Sequence, residues 1–185
     1  MFVEQTDQTY RNLTALKPGI YRDCLFIQCD FSGQTFANYE FVDCEFKECN
    51  LSNLKTDNAS FKTVLFSGCK LIGFDFSGIN SFLLKLNFED CNLNLSSFYE
   101  LNLSKTLFTR CEIQEVDFTE CNLTEAVFED SSLSLSIFNR TNLSHSDLTS
   151  ARDFEIDPRK NNIKKARFTR ENIAGLVLGF GIIIS

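Results

Sequence analysis

Tryptophan is absent from this 185-residue chain, and methionine and histidine occur once each. One histidine, His145, cannot build a His-rich metal cage, and the serines beside it, Ser144 and Ser146, come from a repeat rather than from an oriented nucleophile–base pair. Two prolines and eight glycines are too few for a polyproline or collagen-like chain. No CxxC pair is present, so the eight cysteines lack zinc-ligand spacing. No Gly-Lys-Ser/Thr loop is present to cradle phosphate. The most apolar stretch, Ile173 to Ile184, is 12 residues long, short of the ~20 that cross a bilayer. Between Arg110 and Arg140 there is no lysine or arginine, and the net charge is −7. A chain this acidic is a poor direct binder of nucleic acid.

What the sequence does have is a period. From Phe88 to Leu148 a large apolar residue recurs every five positions: Phe88, Leu93, Phe98, Leu103, Phe108, Ile113, Phe118, Leu123, Phe128, Leu133, Phe138, Leu143, Leu148. Five matches neither the helical period of ~3.6 nor the strand period of 2. A short period held this long marks a solenoid whose coils stack. Two positions before most of these large residues stands a small one, such as Cys91, Ser96, Cys111, Ala126 or Ser146, with Leu86 and Leu101 as larger exceptions, and just before it often Asn or Asp. Two of every five side chains therefore point inward. Phe and Leu/Ile alternate, and four cysteine pairs (24/44, 29/49, 49/69, 91/111) lie 20 apart. Both facts require an even-sided coil, and 20 residues make it four-sided. Phe ladders are expected on two opposite walls and Leu ladders on the other two. All eight cysteines fall in the small inward slot, as buried free thiols suited to a reducing compartment.

The small–Asn/Asp–Leu/Phe–polar–any unit resembles the pentapeptide-repeat family over nearly the whole chain. The resemblance implies an all-β solenoid, a right-handed quadrilateral parallel β-helix, closed by a C-terminal α-helix and short strand. Residues 1–15 read as a lead-in, 16–77 as a first stack, 78–82 as a register break, 83–150 as a second stack, 151–168 as a turn-rich loop with the last repeats, and 169–185 as a capping and dimerisation element. The break is a two-residue insertion placed near Gly78-Ile79-Asn80, with Leu83 as the next inward residue. The two stacks hold 27 repeats, nearly seven coils and a rod of roughly 32 Å at ~4.8 Å per coil. In the tail, Thr169 can cap a helix from Arg170 that ends at Gly179 or Gly181. Ile173, Leu176, Val177 and Phe180 share one face at helical spacing, and Ile182, Ile183 and Ile184 read as a strand. These seven apolar residues exceed what a cap requires and are expected to form a homodimer seam.

Charge is uneven. Residues 87–150 hold 11 acids and 3 bases, whereas residues 151–185 hold 4 acids and 7 bases. Glu112, Glu115, Asp117, Glu120, Glu125, Glu129 and Asp130 all occupy outward slots and are expected to belt the rod. Such a belt keeps a β rod soluble, or it substitutes for DNA phosphates in a basic groove. The resemblance is closest in character to the quinolone-resistance group, acidic rods that dimerise through the C-terminus and act as DNA mimics on DNA gyrase or topoisomerase IV. Several of that group carry long loops, whereas no insertion here exceeds a few residues before Leu148. The expectation is thus a non-catalytic, cofactor-free rod that binds a type II topoisomerase and is implied to protect it from quinolones. A scaffold rod with another protein partner is the alternative. A polar, acidic opening from Met1 to Tyr10, with no signal peptide, points to the cytoplasm, and no membrane contact is expected.

Overall fold

The computed structural model describes residues 2–182, and the chain winds as a parallel β-solenoid of about six turns. Four strands stack in one sheet: β1 (Val3–Thr6), β3 (Gly19–Arg22), β5 (Glu40–Val42) and β7 (Ser60–Lys62). Seven stack in the other: β2 (Thr9–Arg11), β4 (Leu25–Ile27), β6 (Glu45–Lys47), β8 (Val64–Ser67), β9 (Leu86–Glu89), β10 (Leu107–Thr109) and β11 (Val127–Glu129). Bridges Val127↔Asp147 and Asp147↔Arg167 carry that column on toward the tail. Coil-to-coil register is 20 residues, as in Phe26↔Phe46 and Phe108↔Phe128. The first coil is shorter: Gln5 pairs Tyr21 and Tyr10 pairs Phe26, a step of 16 that brings the expected lead-in into the sheets.

The five-residue unit follows from corner geometry. The second residue after most of the large apolar ones sits at a left-handed corner, for example Gln28, Asp90, Arg110, Glu120 and Leu135, with φ between 50° and 58°. That turn swings the chain through a right angle, and outside glycine it is tolerated because every coil forces it on the next. The Asn/Asp preference has an equally local cause. Its side-chain oxygen accepts the N–H two residues on, as from Asp30 to Ser32 (3.0 Å), Asn92 to Asn94 (3.0 Å) and Asp147 to Thr149 (3.0 Å). This Asx turn fixes the inward residue between them.

Inside, like stacks on like. Phe88, Phe108 and Phe128 lie with centroids 5.2 and 4.9 Å apart and rings within 8° of parallel. On the opposite wall Phe98, Phe118 and Phe138 repeat this at 5.4 and 5.2 Å. The two ladders meet across the rod edge-to-face, at 6.1 Å and 78° for Phe98–Phe108 and 6.0 Å and 85° for Phe108–Phe118. Positive ring edges thus meet negative ring faces, an arrangement worth ~0.5–1.5 kcal/mol per pair beyond burial. Leu93, Ile113 and Leu133 fill one of the remaining walls and Leu103, Leu123 and Leu143 the other, all fully buried. All eight cysteines are buried free thiols. Burial pushes the Cys44 and Cys121 thiols up to about 12.

The pairings bracket the two-residue insertion, and one expectation beside it needs correction. Asn80 still pairs Ser60 at a step of 20, whereas Leu86 pairs Val64 at 22, so the two extra residues fall between them. Leu83 is not inward: it stands at a left-handed corner (φ 57°) and is 66% exposed, as is Phe82. The aromatic column passes the insertion unbroken, with Phe66–Phe88 stacked at 5.4 Å.

The tail is not an α-helix. It forms two short 3-10 turns, Ile173–Leu176 and Leu178–Phe180. Gly175 explains the interruption. A Cβ there would lie 2.4 Å from the carbonyl oxygen of Phe154, and the Gly175 carbonyl accepts the Ile156 N–H (2.9 Å) instead of closing a helical turn. Two expected signals hold: Thr169 Oγ1 accepts the Asn172 N–H (3.3 Å), and Gly181 ends the second turn at φ 65°. The expected strand falls largely on Ile183 and Ile184, outside the described residues.

Phe98 touches Phe76, Phe88, Phe108 and Phe118. Phe98→Ala is expected to destabilise the rod by ~3–5 kcal/mol, read as a lower urea midpoint, whereas Tyr99→Ala on the outer surface should shift it little.

Candidate interaction surface

Four of the seven candidate acids are corner residues, one at each corner of a single coil: Glu115, Glu120, Glu125 and Asp130, with φ of 55°, 58°, 58° and 50°. The left-handed turn points each side chain outward. Glu112, Glu115, Glu125, Glu129 and Asp130 are exposed, and Asp117 and Glu120 are half-buried. Asp117 is committed locally, accepting the Thr119 N–H at 2.9 Å.

Pairing divides the belt. Glu120 pairs with Arg140 one coil on, and Glu125 with Lys105 one coil back at 3.8 Å. These two corners bound the Leu103–Leu123–Leu143 wall, which is thereby largely neutralised. Glu112, Glu115, Glu129 and Asp130 have no basic partner within salt-bridge distance among the described residues. They gather around the wall built on Leu93, Ile113 and Leu133. One coil below, Arg110 is held by Asp90 (2.7 Å) and Glu89 (2.6 Å), which keeps the Asp90 carboxyl below its ordinary range. All of these pairings but Glu89–Arg110, at 21, are spaced 20 residues apart, so the same arithmetic that aligns the core could have found them in the sequence.

The second candidate surface lies on the tail. Ile173, Phe180 and Ile182 are exposed (52%, 45% and 56%), and so is Leu178 (54%), which the helical spacing missed. Leu176 and Val177 are half-buried, and Leu176 packs on the chain's own core. Asn172 makes the tail a cap: its side-chain amide donates to Leu148 O (2.8 Å) and Ala151 O (3.1 Å) of the last coil. Arg159 lies over the Phe180 ring at 4.2 Å and is fixed by Asp157 at 2.7 Å. Ser134 and Leu135 on the rod line a shared groove with Leu178, Gly175 and Phe154, so the exposed apolar surface runs from tail to side wall.

His145 is an exposed corner residue at φ 61°. No three His, Cys, Asp or Glu side chains converge on a common point among the described residues. No helix among them is long and apolar enough to cross a membrane.

A family model described as a pentapeptide repeat region matches residues 20–82 and 79–148. The chain belongs to the pentapeptide-repeat family. No curated protein sequence matches it. Among solved structures it resembles a trypsin-treated form of QnrB1, a plasmid-mediated fluoroquinolone resistance protein, at 18% identity and a TM-score of 0.58, covering 99% of this chain and 100% of that one. It is similarly like HetL, a pentapeptide repeat protein involved in heterocyst differentiation regulation from the cyanobacterium Nostoc sp. strain PCC 7120. There the identity is 17% and the TM-score 0.58, over 89% of this chain and 69% of that one. At these identities the likeness is one of fold.

The arginine of the Asp157–Arg159 pair also holds Phe180, so the seat of the tail should depend on pH. Hydrogen bonding to Arg159 lowers the Asp157 carboxyl to about 2. A depressed carboxylate contributes stability that is complete above its unfolded value of ~3.9 and lost as pH falls through the folded value. Amide exchange around Phe180 should therefore quicken as pH drops from ~4 toward 2, beyond the intrinsic pH dependence. Asp157→Asn should show that faster exchange already at neutral pH.

Proposed function

We propose that this protein is a non-catalytic acidic rod that binds a type II topoisomerase, DNA gyrase or topoisomerase IV, in place of DNA. Charge density is the observation that carries the reading. Residues 87–150 hold 11 acids against 3 bases. Spread over about three coils, ~15 Å of rod, the net charge is about one per 2 Å, close to the one per ~1.7 Å of duplex DNA. The rod holds these charges on a rigid lattice, so a basic groove meets them with little ordering cost. The wall bearing Glu112, Glu115, Glu129 and Asp130 is the proposed contact, with Asp117, Glu120 and Glu125 contributing field rather than free carboxylates. The likeness to a fluoroquinolone resistance protein supports the choice of partner, and quinolone protection would follow where binding displaces cleaved DNA. A cytoplasmic location follows from such a partner and from eight free thiols.

The same reading includes a homodimer through the tail. Ile173, Phe180 and Ile182, with Leu178 added, leave apolar surface that a second copy would cover; Val177 lies at the edge, and Leu176 belongs to the protomer's own core. Ile183 and Ile184 complete the proposed seam from outside the described residues.

A second reading is a scaffold rod for a different protein partner. Exposed Phe82, Leu83, Leu95, Leu135 and Ile137 favour it, because they interrupt the charged surface with apolar side chains that duplex DNA does not present.

Purified protein should inhibit gyrase supercoiling. Changing Glu112, Glu115, Glu129 and Asp130 together to Lys should weaken inhibition at least tenfold, and a comparable change at Glu120 and Glu125 should matter less. Equal inhibition by the four-site variant sinks the anionic-wall mechanism, and no inhibition by the parent favours the scaffold. In sedimentation, Leu178→Asp with Phe180→Asp should halve the mass, and an unchanged mass rules out this seam.

A further inference from the structure

Five of the eight cysteines share one column. Cys29, Cys49, Cys69, Cys91 and Cys111 occupy the same inward slot on successive coils, and Ser131 continues it. The neighbouring bridges Asp30↔Asn50, Asn50↔Lys70, Lys70↔Asn92 and Asn92↔Glu112 fix the alignment across the two-residue insertion. The thiols also repeat their contacts. Cys49, Cys69 and Cys91 each donate to a carbonyl of the coil below, Phe26, Phe46 and Phe66, at 3.4, 3.2 and 3.4 Å. Each is 1–2% exposed.

Groups related by one coil step are separated by the coil rise, ~4.8 Å. That spacing does not suit a disulfide, which needs Cβ atoms ~3.5–4.5 Å apart and sulfurs at ~2.05 Å. It does suit a sulfur–metal–sulfur unit. Taking the zinc–thiolate length of ~2.3 Å as the yardstick for a metal–sulfur bond, a linear two-coordinate ion spans ~4.6 Å, close to the coil rise. Zinc wants four ligands, and each gap offers two. Soft thiolates favour closed-shell monovalent ions such as Cu(I) and Ag(I).

We propose that the column is a binding site for linear two-coordinate thiophilic ions of the Cu(I)/Ag(I) class, one per gap between successive thiols. At a single gap two S–H bonds break, two S–metal bonds form, two protons pass to solvent, and the metal keeps its oxidation state. When adjacent gaps fill, inner thiolates bridge two ions. Five thiolates and four ions then carry one net negative charge in the core, rather than one per gap, so filling is cooperative. Cys24 and Cys44, also one coil apart, form a separate single gap, and Cys121 stands alone. The site does not depend on the acidic wall or on any topoisomerase.

The test uses the full reduced chain and Ag(I) as the probe, with an imidazole wash to strip His145. Silver retained after desalting should reach five ions per chain, with two sulfur neighbours each by X-ray absorption and a raised thermal midpoint. Cys69→Ala should remove two ions, because it opens two gaps at once. Alanine already fills the equivalent slot at Ala59 and Ala126, and Cys69→Ser, matching Ser131, is the second variant should alanine perturb the fold. Loss of one ion or none from both variants, three or four sulfurs per silver, or equal retention of Zn(II) would overturn the proposal.

Discussion

Coil-to-coil register is the constraint on which this structure depends. In a solenoid of fixed 20-residue step, each inward side chain rests on its own equivalent. Packing then reduces to whether a residue stacks on itself. Phenylalanine does so well, with parallel rings along the wall and edge-to-face contacts across the core, and the chain uses 20 of them. A slip of one residue would put inward side chains outside all along the rod. The backbone ladder and the aromatic ladders therefore select the same register. That agreement lets 25 non-glycine residues among those described hold a left-handed conformation at the corners.

The interior was legible because it repeats. Wall count, opposed Phe ladders and buried thiols all follow from spacing alone. Legibility failed where the period did. Leu83 is apolar and lies seven residues after Phe76, so periodicity assigns it inward; in space it turns a left-handed corner, and Ser81, Phe82 and Leu83 are all exposed. The same two extra residues hid the alignment of Cys69 with Cys91, which are 22 apart in sequence and adjacent in the column. In the tail the helical spacing of Ile173, Leu176, Val177 and Phe180 is real, but spacing carries no information about a carbonyl claimed by another segment. The hydrogen bond from Ile156 to Gly175 decides that element, and it is tertiary.

Outward slots obey a looser rule. Nothing in the core distinguishes Glu120 from Leu135 at a left-handed corner, so surface charge varies independently of fold. This separation explains why fold reads clearly from the sequence and function less so. Two rods with the same backbone can present different fields, and the likeness to QnrB1 and HetL is one of fold. The pairing pattern narrows the choice. Arg140 and Lys105 pair with acids beside one wall, while Glu112, Glu115, Glu129 and Asp130 form no ion pair among the described residues, so pairing differs between walls although the core is nearly four-fold.

A stacked core also needs a lid, because the last coil offers carbonyls and apolar walls with no further coil above them. Asn172 supplies the polar half of that lid with one amide across two carbonyls, and Leu176 supplies part of the apolar half. Gly175 makes the fit possible, since any side chain there would collide with Phe154. A regular α-helix would have rotated Leu176 and Asn172 relative to one another and kept the Gly175 carbonyl for itself. The broken 3-10 course therefore suits the lid better than the helix that the spacing suggests. It also divides the tail's apolar residues into those that face the coil and those that do not. Ile173, Leu178 and Phe180 fall in the second group, and closing the solenoid accounts for none of them.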